Sequence, residues 1–140
     1  MAIPAHIRLE FVTPDRAIVQ DDVDEVEVPG EDGYFGVLPG HAPLLAALQP
    51  GEMWFRKGGQ RQYAFVAGGF AEIVGDRVSI LARVAERAEE IDTERAQAAR
   101  RRAEERLARP TADLDFERAR VALIKAIVRL QVSARSRPSA

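Results

Sequence analysis

Residues 29–51 read PGEDGYFGVLPGHAPLLAALQPG, and this stretch decides how the first half of the chain folds. Gly30, Gly33, Gly36, Gly40 and Gly51 supply positions open to positive φ, while Pro29, Pro39, Pro43 and Pro50 fix φ and remove backbone donors. A disordered linker with this punctuation would be polar. Here Tyr34, Phe35, Val37, Leu38, Leu44, Leu45 and Leu48 stand between the turn residues. The segment therefore reads as tight strands and structured loops that present His41 at a defined position.

Strand periodicity continues on both sides of it. Ile7, Leu9 and Phe11 alternate with Arg8 and Glu10, and Val26 and Val28 with Glu25 and Glu27. Lys57-Gly58-Gly59-Gln60, Gly68-Gly69 and Gly75-Asp76 punctuate the rest, predicting separate strands at 53–56, 62–67, 70–74 and 78–84. Residues 1–85 thus form an antiparallel β-sandwich domain, with Phe11, Trp54, Phe65 and Phe70 as core aromatics.

Glycine is absent after Ala85, and Ala, Glu and Arg dominate. Residues 86–140 are read as a two-helix antiparallel hairpin, giving an α+β chain. Asp92 is the predicted N-cap of the first helix, with Ile91 stapling against Ala96 and the end near Arg109-Pro110-Thr111. The second helix begins around Asp113 and carries Phe116, Ala119, Leu123, Ala126, Ile127 and Leu130 on one stripe. The facing seam is thin, mainly Ala96, Ala99, Ala103 and Leu107, and each methyl-sized group contributes only about 0.8 kcal/mol. Val121, Ile124 and Val128 make a second apolar face that needs the sandwich or another subunit to cover it.

Composition removes several classes of function. With no cysteine and two histidines, His6 and His41, no disulfide or thiolate site is available and no metal site is expected. The longest apolar run, Leu44 to Leu48, falls far short of the ~20 residues of a membrane span. Met1 to His6 lacks the basic start and apolar core of a secretory signal, so a cytoplasmic location is expected. A net charge of −2 gives no bulk attraction to nucleic acid, but it is unevenly placed. Residues 1–85 hold 7 basic against 12 acidic side chains, and residues 86–140 hold 13 against 10.

His41 has no Ser or Cys nucleophile in its loop, and the glycines before it lack the Lys and Ser/Thr of a phosphate loop. More specific are two basic stripes, Arg95, Arg102 and Arg106 on the first helix and Arg118, Lys125 and Arg129 on the second. They either receive an anion or form salt bridges with Glu94, Glu105 and Glu117. Spacing alone leaves both readings open.

The run Gly33-Tyr34-Phe35-Gly36-Val37-Leu38-Pro39-Gly40-His41-Ala42-Pro43-Leu44 resembles the central signature of the epsilon subunits of bacterial F-type ATP synthases. Val12-Thr13-Pro14, Leu48-Gln49-Pro50-Gly51, Ala67-Gly68-Gly69-Phe70 and Ile91-Asp92-Thr93-Glu94-Arg95-Ala96 follow in family order, so the resemblance covers nearly the whole chain. It implies a noncatalytic rotor subunit on the cytoplasmic face of the membrane. The sandwich would dock on the gamma subunit, near His41, and on the c-ring through Tyr34 or through Glu31 or Asp32. The helices would regulate hydrolysis and reach the beta subunit when extended. Some family members bind ATP on the folded hairpin, which maps here to Glu86, Ile91, Asp92, Arg95, Ala96, Arg102 and Arg129, with Lys125 where strong binders have Arg. No cofactor is required, and ATP would be a regulatory ligand. A freestanding nucleotide-sensing protein and a small enzyme using His41 are the competing readings.

Overall fold

A computed structural model describes residues 5–136 of the chain. The reading of the amino-terminal segment rests partly on Met1 to Pro4, which lie outside the described residues. Eight strands come first: β1 (Ile7–Val12), β2 (Ala17–Val23), β3 (Glu25–Gly30), β4 (Gly33–Val37), β5 (Leu44–Ala47), β6 (Gly51–Lys57), β7 (Gln60–Val74) and β8 (Arg77–Arg87). A 3-10 turn at Ala88–Glu90 leads into α1 (Thr93–Ala108) and α2 (Phe116–Ser133). No helix among the described residues is long and apolar enough to cross a membrane.

The hydrogen-bonded strand order is β2-β1-β8-β7-β6-β3-β4, with β5 added to β7. Pairing is antiparallel throughout this path except between β1 and β8, which run parallel. A bridge between Gly30 and Leu48 draws the ends together, and the folded-over sheet encloses one core that includes Leu9, Phe11, Val28, Met53, Val66 and Ile80. The alternation read in β1 and β3 holds, since Ile7, Leu9, Phe11, Val26 and Val28 all point inward.

The strands predicted on either side of Gly68-Gly69 are one strand, β7, and its two halves have opposite facing. Before the glycines Ala64 and Val66 enter the sandwich core, and after them Ala71 and Ile73 do. The even-numbered residues face in first, then the odd-numbered ones. Both glycines have positive φ, 74° and 104°, and this rotates the strand without ending it. The partner β8 inverts in step: Val78, Ile80 and Ala82 face inward, and so does Ala85. The pairing stays in register, from Ala64 opposite Arg87 to Val74 opposite Arg77. One consequence corrects the aromatic assignment, because Phe70 falls on the outside and is 54% exposed, whereas Phe11, Trp54 and Phe65 are buried.

The inversion gives the first half of β7 an outer face of Tyr63, Phe65 and Ala67. Phe65 and Ala67 join Ala88, Ile91 and Val132 in a second apolar cluster, with Tyr63 and Val128 against it. The hairpin is therefore folded onto the sandwich through α2. Val128 finds its cover there, while Val121 and Ile124 remain half-buried. Asp92 caps α1 by accepting from the Arg95 N–H at 3.1 Å, as the sequence predicts. α2 starts at Phe116 with Asp115 as its cap, slightly later than the expected start around Asp113, since Leu114 N–H closes a turn on the Thr111 carbonyl at 3.1 Å. The helix seam is small-residue packing by Ala96, Ala103, Ala119 and Ala126. Phe116, placed on that stripe by spacing, sits in the first turn of α2 and is 59% exposed.

Two predictions follow from this architecture. A Cβ on Gly69 would lie 2.0 Å from the Leu81 carbonyl oxygen, at a φ that L-residues rarely adopt. Gly69→Ala should therefore lower stability by about 2–4 kcal/mol in denaturant titration, whereas Gly36→Ala, with open space around it, should change it by less than about 1 kcal/mol. Asp24 accepts the Gly58 N–H at 2.7 Å and pairs with His6 at 2.9 Å; these contacts, the Gly58 bond first, hold its carboxyl below the usual aspartate value of 3.8. A depressed folded-state value contributes stability above pH 3.8 that is lost as pH falls through the lower folded value. In acid titrations below pH 3.8, Asp24→Asn should show a shallower loss of stability than the parent chain.

Candidate functional site

Three elements meet at the seam between hairpin and sandwich. Strand β8 contributes Val84 and Glu86 from the face that the inversion turned outward. The start of α1 contributes Asp92, Arg95, Ala96, Ala99 and Arg102, and α2 contributes Arg129. Together they line a pocket of about 340 Å³. Its wall is apolar at Val84, Ala96 and Ala99, and its rim carries three guanidinium groups and two carboxylates.

Each polar group has a defined situation. Arg129 donates from Nε to a Glu86 carboxylate oxygen at 2.6 Å, and its guanidinium lies 4.4 Å from the centre of the Phe65 ring. It is thereby tied to the sandwich by an ion pair and a cation–π contact. Asp92 uses Oδ1 for the helix cap and lines the pocket at the start of α1. Arg95 and Arg102 form no ion pair with any described residue. The alternative of salt bridges with Glu94, Glu105 and Glu117 is realised in none of these three places as expected: Glu117 instead pairs with Arg120. Two cations thus stand unneutralised beside an apolar wall, which is the arrangement for an anion attached to a flat apolar group.

Six of the eight residues assigned to a nucleotide by resemblance, Glu86, Asp92, Arg95, Ala96, Arg102 and Arg129, converge on this pocket. Ile91 and Lys125 do not line it. Ile91 is buried in the apolar cluster beneath the hairpin and acts as an anchor for α1. Lys125 lies one turn before Arg129, about 6 Å along α2, and faces a separate groove with Asp115, Glu117, Arg118, Val121 and Ala122. Sequence reasoning missed Val84 and Ala99 as pocket walls and Phe65 as the ring under Arg129. The facing of Val84 depends on the inversion in β7 and β8, so alternation could not place it.

A second group of assigned residues gathers at the end of the sandwich. Glu31 and Asp32 form the β3–β4 turn and share a shallow pocket with Phe35, Leu44 and Leu45. Tyr34 projects beside them, with its hydroxyl accepting the Glu52 N–H at 3.2 Å; this approach requires Gly51, where a Cβ would lie 2.4 Å from the same oxygen. His41 is half-buried, with Nδ1 2.6 Å from the Ala42 carbonyl and its ring 6.5 Å from that of Phe35. On the outer sheet face, Phe70 pairs across strands with Leu81, and Val12 with Leu81, forming an exposed apolar row beside Thr13 and Pro14.

Comparison with known proteins bears on both groups. Residues 6–88 match the ATP synthase delta/epsilon chain β-sandwich domain, and residues 89–134 match the long α-helix domain of the same chains. The ATP synthase epsilon chain of Nitratidesulfovibrio vulgaris is 46% identical over 90% of this chain and 94% of its own length. That of Syntrophobacter fumaroxidans is 48% identical over 91% and 95%. Among solved structures, a chain of the Euglena gracilis mitochondrial ATP synthase, determined as OSCP/F1/c-ring, superposes with a TM-score of 0.81 at 28% identity, covering 91% of this chain and 81% of that one. A matched sandwich, a matched helical domain and close relatives over nearly full length lead to one conclusion: the chain belongs to the ATP synthase epsilon chain family, whose members are noncatalytic subunits of that complex.

Proposed function

We propose that this chain is a central-stalk subunit that couples rotation of the c-ring to ATP synthesis and regulates ATP hydrolysis through its helical hairpin, with ATP as the ligand that holds the hairpin folded. The observation that carries the regulatory part is the seam pocket, because its wall and rim come from β8, α1 and α2 at once. Such a pocket exists only while the hairpin lies on the sandwich. A ligand bound there adds its binding free energy to the folded arrangement alone, about 2.7 kcal/mol at a hundred times Kd. Arg95 and Arg102 are the cations available to phosphate, Val84, Ala96 and Ala99 the wall for the base, and the Asp92 carboxylate an acceptor for an exocyclic amine.

The same proposal gives the exposed surfaces their partners. The row of Val12, Phe70 and Leu81 is an apolar outer face suited to burial against the gamma subunit, to which the resemblance also assigns His41. Glu31, Asp32 and Tyr34, together with exposed Leu45, form the end that meets the polar loops of the c-ring. Released from the sandwich, α2 would present Arg118 and Lys125 to an acidic loop of the beta subunit. The chain then sits peripherally on the cytoplasmic face of the membrane, held there through the complex.

Calorimetry on the full chain tests the ligand. ATP should give saturable heat, and Arg95→Ala should weaken binding about ten-fold or more, the value of one charge-assisted contact of about 1.4 kcal/mol. No heat at millimolar ATP would sink the sensing role. Docking is tested separately: a chain ending at Glu90 should still bind purified gamma, while Phe70→Glu in the full chain should lose that binding with the sandwich circular dichroism unchanged. Retained binding by Phe70→Glu would move the gamma contact elsewhere.

A further inference from the structure

Beyond α2, Arg135 contacts the sandwich away from the seam pocket. Arg135, in the 3-10 turn after α2, reaches back to β6 and donates from Nε and a terminal nitrogen to the two oxygens of Glu52, both at 3.2 Å. Its guanidinium also lies 4.8 Å from the centre of the Tyr63 ring. Bidentate pairing demands the planar fork of arginine, and with the cation–π contact it fixes the approach of this turn to the sheet. Glu52 is the more enclosed partner, 18% exposed against 51% for Arg135. The turn is itself ordered by Ser136, whose hydroxyl donates to the Ser133 carbonyl at 2.8 Å, and Ser133 is buried. Arg135 falls just past residue 134, where the match to the family's helical domain ends.

We infer that Arg135, Glu52 and Tyr63 form a latch that holds the hairpin on the sandwich independently of any nucleotide. The geometry supports a role in position, because the Arg129–Glu86 pair grips the end of α2 and the latch grips the 3-10 turn after it, at separate points on the sheet. Glu52 lies opposite Phe65 across β6 and β7, and Glu86 lies opposite Phe65 across β7 and β8. The two carboxylates therefore flank the ring on which the helix end rests. One grip alone leaves α2 free to pivot about that ring, and two prevent it. Opening the latch is consequently the first step in lifting the hairpin, starting from the carboxyl-terminal end of α2.

The test uses the full chain without nucleotide, so it stands or falls apart from ATP binding. Hydrogen exchange is followed in α2 amides from Val128 to Ser133 and, as an internal reference, in sandwich amides such as Leu9 and Ile80. Arg135→Ala should speed exchange of the α2 set roughly five-fold and leave the reference set unchanged, as expected for loss of one partly exposed ion pair and one cation–π contact. Arg135→Lys, which keeps the charge but loses the fork, should fall between. Glu52→Gln should reproduce much of the effect, and the double variant Glu52→Gln with Arg135→Ala should be no faster than Arg135→Ala alone. Unchanged α2 exchange in Arg135→Ala would overturn the latch. Fully multiplicative effects in the double variant would overturn it too, since the two side chains would then act separately.

Discussion

The backbone inversion at Gly68 and Gly69 is the constraint on which the rest of the molecule depends. A strand that kept strict alternation from Gln60 to Val74 would put the residues of one half on the wrong face, with either Phe65 or Ile73 out of place. Two positive-φ residues in succession let the same strand serve two layers, and the absence of a side chain on Gly69 lets its backbone approach Leu81 closely enough to keep β8 in register. The outward half becomes a platform for the helices. The inward turn of Ala71 and Ile73 completes the core, and Phe70 is left exposed on the outer face.

The platform sets how the hairpin is held on the sandwich. Its apolar part is small: Phe65, Ala67, Ala88, Ile91 and Val132, with flanking Tyr63 and Val128. The helices add an alanine seam that permits close approach but buries little area. What completes the interface is polar and placed at its edges, in Arg129 with Glu86 and Arg135 with Glu52. Partly exposed ion pairs contribute about 1 kcal/mol or less each, so they orient the helix more than they bind it. The apolar cluster under the helices is separate from the core enclosed by the sandwich.

Local signals were legible in the sequence, and relations between distant strands were not. Alternation placed Ile7, Leu9, Phe11, Val26 and Val28 correctly, and the loss of glycine after Gly75 marked the change to helices. The cap at Asp92 followed from residue type and position. The glycine pair was misread as a turn because turns and inversions use the same residue for the same reason, its access to positive φ. Only the cross-strand pairing of β7 with β8 tells them apart. The burial of Phe65 and exposure of Phe70, and the place of Val84 in the pocket wall, all follow from that one unread feature. Lys125 was grouped with Arg129 because helical spacing reports angle around the axis and not distance along it; one turn moved it to another groove. The grip of Arg135 on Glu52 joins residues 83 positions apart, and nothing in either neighbourhood announces it.

The division of labour among the arginines then gives the pocket its logic. Arg129 is already matched by Glu86 and stacked on Phe65, so a phosphate that took it from Glu86 would strand a carboxylate at the seam and loosen the very contact that forms the pocket. Arg95 and Arg102 carry no such obligation among the described residues. A ligand that uses those two leaves the Arg129–Glu86 pair intact and adds to it, closing α1 toward β8 while α2 stays seated. Occupancy and docking reinforce each other only on this assignment. On the proposal that an anion binds at the seam, Arg129 and the pair Arg95 and Arg102 are distinguished by what each would leave behind, a distinction that charge count and helical spacing do not contain.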